Sequence, residues 1–348
     1  MQNSNNIGSS KILVIGLGQL GFPVAKYIKD KGFDVYGYDI NPIMMKNASN
    51  KIGLKTTSDF NSFDIYIICI STHQSDDIFS PNIDGIVSVA KKISLVAKDG
   101  ALVSIESTIP KGTSRKIFEL MDHRLHVVHA PHRWYSLEEK EHGVNQPRII
   151  GGVSSCCLNK GLSFYDGRKE LIDSSETISD SFISEKKSEF STAENISSIT
   201  VSNTNIQSQT DSLCIQNLEI YSSINKKCLE IPMHPVFTIE IAELTKIIEN
   251  SHRYLQIAFA EDLYLYCSAN SVSFHELRDA LNTKWNVNIL EPRDGIGGHC
   301  LPKDTKMFLS SSKSIKSKII KAALEVNNDY INFRKYQGHK YSSSNITD

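Results

Sequence analysis

Residues 11–21 are Lys11-Ile12-Leu13-Val14-Ile15-Gly16-Leu17-Gly18-Gln19-Leu20-Gly21, and the predicted fold depends most on this segment. Its first half is an apolar, β-branched run typical of a buried strand, and it stops at Gly16. Apolar residues then follow at helical spacing, and a second strand over residues 34–38 ends immediately before Asp39. The alternation of short strands and helices continues at residues 65–70, 83–96 and 101–105. This pattern predicts an α/β fold with a Rossmann-type, doubly wound parallel sheet.

The turn after the first strand has the glycine spacing of a dinucleotide-binding loop, G-x-G-x-x-G. Gly16 permits the tight turn, Gly18 lets the backbone approach a pyrophosphate, and Gly21 lets the helix pack closely on the strand. Asp39 would accept hydrogen bonds from ribose hydroxyls and repel a 2′-phosphate, so the pattern predicts NAD rather than NADP as the cofactor. The alternative is that the three glycines serve only a tight turn.

The composition is that of an ordinary globular protein, with 348 residues, 40% hydrophobic and 22% charged side chains, and a formal net charge of -1. That length allows two domains, and without a concentrated stripe of Lys and Arg we expect no nucleic-acid partner. Residues 1–10 lack an apolar leader segment, and no stretch approaches the roughly 20 apolar residues of a membrane span. We therefore expect a cytoplasmic protein without membrane association.

The cysteines and histidines predict no metal site. Seven irregularly spaced cysteines indicate neither a disulfide framework nor a structural zinc site. His126, His129 and His132 lie three residues apart, and such residues point to opposite faces of a strand, so they cannot converge while the segment is extended. All the cysteines except Cys300 are interpreted as small buried hydrophobic residues.

Composition and periodicity divide the chain into segments. In residues 171–225, Ser, Thr, Asn and Lys dominate and no apolar period persists. This composition indicates a disordered insertion without a catalytic role. Helical spacing predicts a long helix over about 239–268 and a last helix over about 315–328. The predicted organisation is a disordered amino terminus at 1–10, a NAD-binding domain at 11–155, the insertion at 171–225, a helical central domain at 232–335 and a flexible tail at 336–348.

A lone cysteine near the end of the chain lies in a glycine-rich turn, Gly297-Gly298-His299-Cys300-Leu301-Pro302-Lys303-Asp304. The residues before Cys300 are too rich in glycine for a core and allow a ligand to approach. A thiol nucleophile with a nicotinamide cofactor can capture an aldehyde as a hemithioacetal, which hydride transfer converts to a thioester. The sequence therefore predicts an oxidoreductase that proceeds past the aldehyde to the acid. The alternative is that Cys300 is a core residue.

Three polar residues of the long helix share one face, since Glu243, Lys246 and Asn250 fall at i, i+3 and i+7. A lysine and an amide aimed together could bind a developing oxyanion. The alternative is an ordinary solvated helix face.

Taken together, these motifs resemble the UDP-glucose/GDP-mannose dehydrogenase family, and in particular its UDP-N-acetylmannosamine dehydrogenase branch. The resemblance covers most of residues 11–155 and 232–330. It rests on the glycine turn at 16–21, the segments 106–113 and 147–152, the Glu243-x-x-Lys246-x-x-x-Asn250 helix face, and residues 297–304.

The resemblance implies two successive NAD-linked oxidations that convert the C6 alcohol of a nucleotide sugar to a carboxylate. It implies Cys300 as the nucleophile and Lys246 and Asn250 as stabilisers of the oxyanion at the reacting carbon. Asp304 and Thr108 would position the ordered water.

Other implied contacts extend this site. The resemblance places Thr72 and Thr108 near the cofactor, and Arg133, Asn250, Gly297 and Gly298 at the substrate. The long helix resembles the family's central dimerisation helix, so we expect a homodimer.

The chain departs from the family pattern in three places. His132 and Arg133 follow Pro131 where family members commonly have a Pro-Glu pair, and the Ser-rich insertion replaces a short connection. The family's third, nucleotide-holding domain would begin after about residue 335, so we expect a shortened enzyme whose grip on the nucleotide is weakened or supplied by a partner. Two alternatives are a 3-hydroxyacid-type dehydrogenase that makes one oxidation, and a non-catalytic NAD- or sugar-binding subunit of a full-length enzyme.

Overall fold

The structure is a computed structural model, and it describes residues 10–72, 81–133, 143–168, 227–298, 300–311 and 317–344. The insertion predicted at residues 171–225 lies outside the described residues, as do residues 1–9. The chain divides into two compact units. The first takes in Met1–Ile70, Ile86–Glu106 and Ser114–Ala242, and the second takes in Ser71–Gly85, Ser107–Thr113 and Glu243–Asp348.

In the described residues up to 236, most strands are followed by a helix. In order, these elements are β1 (Lys11–Ile15), α1 (Gly21–Asp30), β2 (Asp34–Tyr38), α2 (Pro42–Ile52), β3 (Lys55–Thr56), β4 (Ile65–Ile68), α3 (Asp84–Val96), β5 (Leu102–Ile105), α4 (Thr113–Leu120), β6 (His126–His129), β7 (Arg148–Gly152), α5 (Ser155–Tyr165) and β8 (Met233–Val236). The strands form one eight-stranded sheet in the order β3-β2-β1-β4-β5-β6-β7-β8. The β6–β7 pair is antiparallel, and the other neighbouring strands of this sheet are parallel.

The central strands are apolar on both faces, as expected for a parallel sheet covered by helices. Every residue of β4 and β5 is buried, and four of the five residues of β1 are. β1 lies between β2 and β4, where the order of strands along the sheet reverses. Ligands of such folds bind at that reversal, outside the carboxyl ends of the strands. The predicted α/β fold is confirmed.

The sheet also contains a strand that the sequence pattern does not predict. β8 pairs in parallel with β7, with Met233 opposite Arg148, so the sheet extends past the predicted domain end at residue 155. β8 is short and contains Pro235, which resembles a break rather than a strand. A proline is tolerated here because β8 is the edge strand of the sheet.

The helices that follow β8 lie mainly in the second unit. They are α6 (Ile239–Ala269), α7 (Phe274–Leu281), α8 (Cys300–Ser311) and α9 (Lys318–Ser344). A buried cluster of Tyr254, Ala258, Ile296 and Ala323 forms a core among them. In the described part of the chain, no helix combines the length and the apolar character that crossing a bilayer requires.

The last helix is longer than its predicted range of about 315–328. It continues to Ser344, and so includes most of the segment at 336–348 that we expected to be a flexible tail. No proline interrupts this stretch, and each residue added to an existing helix gains a hydrogen bond without a new nucleation step.

Candidate active site

Glycine shapes the turn between β1 and α1 at each of the three predicted positions. Gly16 has a φ of 91°, and a Cβ there would lie 2.6 Å from the carbonyl oxygen of Cys69. A Cβ on Gly21 would lie 1.7 Å from the carbonyl oxygen of Gly16, so a side chain would prevent α1 from packing this closely. A Cβ on Gly18 would meet no atom within 4 Å. Gly16 and Gly21 therefore close the turn, while Gly18 leaves space for a ligand beside the backbone.

Asp39 joins the end of β2 to the same turn. Its Oδ2 accepts a hydrogen bond from the backbone N–H of Leu17 at 2.7 Å, and its Oδ1 accepts one from the N–H of Asn41 at 2.8 Å. The carboxylate is half-buried and lies where β1 and β2 end, next to the reversal in strand order. The structure thus brings Asp39 and the three glycines together at this turn, while Thr72 and Thr108, also predicted to lie near the cofactor, are on other segments.

In the second unit, α6 and α8 meet through two predicted site residues. The side-chain amide of Asn250 donates a hydrogen bond to Oδ2 of Asp304. Lys246 precedes Asn250 by four residues, and Cys300 precedes Asp304 by four residues, so each pair shares one helix face. The hydrogen bond therefore joins the two faces that carry the predicted catalytic residues.

A line of polar contacts continues from Asp304. Its Oδ1 lies 2.7 Å from Nζ of Lys303, which is only 6% exposed. Lys303 Nζ also lies 3.3 Å from Oγ1 of Thr72, and this hydroxyl donates to the carbonyl oxygen of Thr108 at 2.8 Å. The contacts thus connect Asn250, Asp304, Lys303, Thr72 and Thr108.

Lys303 had no predicted role, although it stands in the segment quoted for Cys300. A buried ammonium group must be paired because removing it from water is expensive. Its position next to Asp304 in the sequence was the available signal, but an Asp beside a Lys is equally common on a solvated surface. The burial that makes the pair important depends on the packing of α8.

Cys300 is the first residue of α8, and its side chain is exposed. The other cysteines that the structure describes are buried or partly buried, so the alternative of a core role for Cys300 is wrong. A Cβ on Gly297 or on Gly298 would meet no atom within 4 Å. The turn before Cys300 is therefore open, and the amino terminus of α8 places partial positive charge beside the sulfur.

Glu243 shows that this face of α6 is not an ordinary solvated one. Its side chain is 0% exposed, and Oε2 accepts a hydrogen bond from the backbone N–H of Gly112 at 2.6 Å. Glu243 thereby holds the turn that follows Thr108. Lys246 and Asn250, further along the same helix, are half-buried.

A second buried polar group lies in the first unit around Glu106. Its Oε2 is 2.8 Å from Nε2 of His132 and 3.1 Å from Nη1 of Arg148, and its Oε1 accepts from the hydroxyl of Tyr165 at 2.5 Å. Burial alone would raise the pKa of Glu106, but the Arg148 charge and then His132 outweigh it and lower this pKa to about 2. Glu106 is therefore a carboxylate, and it holds the histidine that replaces the acid expected from the family pattern.

His129 and Arg133, which lie near His132 in the sequence, make contacts with backbone carbonyl groups. His129 is fully buried and its Nδ1 lies 2.9 Å from the carbonyl oxygen of Ile105. Burial lowers the pKa of His129 to about 4, so this ring is neutral at pH 7. Arg133 donates from Nη1 to the carbonyl oxygen of Pro147 at 3.1 Å, and its predicted contact with substrate stays a prediction.

Comparison with known protein families covers both units. Residues 42–167 match the NAD binding domain of the UDP-glucose/GDP-mannose dehydrogenase family, and residues 240–329 match the central domain of the same family. The chain belongs to the UDP-glucose/GDP-mannose dehydrogenase family. NAD is accordingly its cofactor, and the open backbone at Gly18 and the carboxylate of Asp39 fit a bound dinucleotide.

Several of the similar proteins are described as UDP-N-acetyl-D-mannosamine dehydrogenases. The UDP-N-acetyl-D-mannosamine dehydrogenase of Methanococcus maripaludis strain C7 is 26% identical over 351 residues, which cover 94% of this chain and 67% of that protein. Its counterpart from Campylobacter jejuni is 27% identical and covers 93% of this chain and 73% of that protein. The solved structure of UDP-D-ManNAc dehydrogenase from Pyrococcus horikoshii has 25% identity and a TM-score of 0.68, and covers 97% of this chain and 72% of its own. The family resemblance and the predicted enzyme class, an NAD-dependent nucleotide-sugar dehydrogenase, are confirmed.

Proposed function

We propose that the chain oxidises the C6 alcohol of a UDP-sugar of the UDP-N-acetylmannosamine type to the carboxylate, in two NAD-dependent steps. Two of the curated relatives support this choice of sugar, since both are UDP-N-acetyl-D-mannosamine dehydrogenases. The observation that carries the mechanism is the hydrogen bond between Asn250 and Asp304. It supports a single site because the helix faces that it joins also hold Lys246 and Cys300.

The first oxidation gives an aldehyde, and Cys300 captures it. Bound NAD supplies the hydride acceptor for each of the two oxidations. The sulfur of Cys300 attacks the aldehyde carbon, which leaves a tetrahedral oxyanion for Lys246 and Asn250 to bind. Asn250 has two amide N–H donors and Asp304 accepts from one of them, so the other is available for this oxyanion.

The second oxidation converts the thiohemiacetal to a thioester, which water then hydrolyses. Asp304 and Thr108 orient that water in our proposal, and the thiol of Cys300 leaves as the carboxylate forms. The ion pair with Lys303 fixes the direction of the Asp304 carboxylate. Thr72 fixes the backbone carbonyl of Thr108 in the same way. Alcohol to carboxylate removes four electrons, so each sugar yields two NADH.

The first experiment measures NADH produced per sugar by the purified chain, with UDP-N-acetylmannosamine, UDP-glucose and GDP-mannose offered in turn. Two NADH per UDP-N-acetylmannosamine are expected. One NADH per sugar would instead favour the single-step alternative. No NADH with any sugar, in protein that binds NAD, would favour the non-catalytic or partner-dependent subunit.

The second experiment isolates the thiol. Cys300→Ser should leave NAD binding intact, measured by calorimetry, and abolish formation of the uronate, measured by mass spectrometry. Cys267→Ala is the matched control, because this cysteine is buried in α6 and has no proposed role. Formation of the uronate by Cys300→Ser at the normal rate would eliminate the thioester mechanism.

We also infer that the chain forms a homodimer through α6. Three large side chains of this helix are 45%, 59% and 60% exposed, namely Ile248, Phe259 and Tyr266. Spacings of 11 and 7 residues place them along one stripe of the helix. Phe259→Glu should convert the dimer to a monomer in light scattering, whereas Leu95→Glu, at an exposed apolar residue of α3, should not. A dimer that persists in Phe259→Glu would exclude this stripe as the interface.

A further inference from the structure

Three side chains that commonly bind metal ions meet where α5 packs against β6. His126 is the first residue of β6, and Cys156 and Cys157 lie in the first turn of α5. One ligand atom from each residue can be chosen so that all three lie within 4.8 Å of one another. The group lies within the first unit, and none of its members belongs to the proposed catalytic residues.

The packing of α5 on β6 explains why these residues meet. A Cβ on Gly161 would lie 2.9 Å from Cγ1 of Val128, so the helix touches the strand at this point. His126 is two residues before Val128 on the same strand face, and Cys157 is four residues before Gly161 on the same helix face. Two residues of strand and four residues of helix each span about 6–7 Å, so contact at one point aligns the other pair.

The ligand set fits one kind of ion. Two sulfurs and one imidazole are ligands that Zn²⁺ prefers, and carboxylate-binding ions such as Mg²⁺ do not prefer them. With Zn–S near 2.3 Å and Zn–N near 2.0–2.1 Å, the ligands of a tetrahedral ion lie about 3.5–3.8 Å apart. From separations of up to 4.8 Å, the three ligand atoms would therefore move together by about 1.3 Å at most on binding.

A hydroxyl group already orients the two sulfurs. Ser154 Oγ lies 3.1 Å from Sγ of Cys156 and donates to Sγ of Cys157 at 3.1 Å, while its own oxygen accepts the backbone N–H of Cys157. Such outer hydrogen bonds fix the direction of metal ligands. Cys157 is 0% exposed and Cys156 is 5% exposed, whereas His126 is only half-buried, so the group is open on the histidine side.

From this geometry we propose that His126, Cys156 and Cys157 bind one Zn²⁺ ion, with water as the fourth ligand. The ion would tie α5 to β6 and so stabilise the sheet that carries the dinucleotide turn. The sequence predicted no metal site for two reasons. The histidines of this segment are spaced so that they cannot converge on one another, and both cysteines were interpreted as core residues. The site uses one of those histidines together with two cysteines that lie on a different element.

The test is metal titration of the full chain, kept reduced and freed of metal by a chelator. A Cys300→Ala background removes the exposed thiol, which could bind metal by itself. Co²⁺ should bind one per chain with a thiolate-to-cobalt charge-transfer band and intense tetrahedral d–d bands, and Zn²⁺ should displace it. Adding Cys156→Ala and Cys157→Ala should abolish these bands. His126→Asn should weaken binding by at least about tenfold.

Cys267→Ala is the matched control, since it removes a buried cysteine outside the group and should leave the cobalt spectrum unchanged. Absence of the charge-transfer band, or its persistence after both cysteines are replaced, would overturn the proposal. A measurement on the Zn-loaded Cys300→Ala protein covers the case in which the multiple variants fail to fold. X-ray absorption spectroscopy at its zinc edge should detect two sulfur ligands. A zinc ion with only nitrogen and oxygen ligands would equally refute the site.

Discussion

Replacing Glu261 with glutamine should stabilise the protein at and above neutral pH. Glu261 lies on α6 and is 0% exposed, and among the described residues neither of its carboxylate oxygens has a hydrogen-bond partner. Burial raises the pKa of Glu261 from 4.5 to about 7. The hydroxyl of nearby Tyr330 does not compensate, because it donates to the carbonyl oxygen of Arg293. The fold therefore contains a carboxyl group that resists ionisation.

The sign of the effect follows from the higher pKa in the folded state. The folded protein retains this proton at pH values where the unfolded chain has lost it, so stability falls as pH rises from about 4.5 to 7 and then levels off. At about 1.4 kcal/mol per pH unit, a rise in pKa from 4.5 to about 7 corresponds to at most ~3.5 kcal/mol. Glu261→Gln keeps the shape of the side chain and is neutral at every pH. We expect it to gain about 1–3 kcal/mol over the wild type at pH 8.

The assay is thermal and urea unfolding at pH 5, 6, 7 and 8, with fixed protein concentration. The stability difference between Glu261→Gln and the wild type should grow over this range, and the melting temperature should rise by a few degrees at pH 8. Glu325→Gln is the control, because Glu325 is an exposed residue of α9 and should not alter the pH dependence. Parallel pH profiles for the wild type and Glu261→Gln, or a variant less stable than the wild type at pH 8, would show that Glu261 does not resist ionisation in the folded protein.

Three further predictions concern the sites described above. Glu106→Gln should lose about 3–5 kcal/mol at pH 7 in urea unfolding, because it leaves the buried Arg148 charge uncompensated. The pKa of Glu106 is lowered from 4.5 to about 2, so its carboxylate stabilises the fold fully above about pH 4.5 and less as pH falls toward 2. The stability difference between Glu106→Gln and the wild type should therefore shrink in acid. An equal difference at pH 7 and pH 3 would contradict the prediction. Gly21→Ala should destabilise the fold by about 1–3 kcal/mol or more, whereas Gly18→Ala should keep the stability and weaken NAD binding in calorimetry; equal stability losses would show that the two glycines do not differ in role. Lys246→Ala should lower kcat by about 10²–10³ in an NADH assay, and an unchanged kcat would remove Lys246 from the oxyanion site.

Features that depend on short spacings could be predicted from the order of the amino acids. Gly16, Gly18 and Gly21 lie in one turn, and Asp39 directly follows the next strand, so the dinucleotide site is largely local. The pairs Lys246–Asn250 and Cys300–Asp304 are each one helical turn apart, which fixes a shared face as soon as a helix forms. The parallel sheet followed from apolar runs that alternate with helical periods.

The contacts between these local features, and the side chains buried with them, became visible in the folded protein. No sequence period relates Asn250 to Asp304, or β8 to β7, although each pair is in contact. The burial of Lys303 likewise cannot be read from its spacing. The meeting of His126 with Cys156 and Cys157 depends in the same way on how α5 packs on β6. Spacing fixes the direction of a side chain only within its own helix or strand. Which residue that side chain contacts, and whether it is buried, depends on how elements distant in the chain pack together.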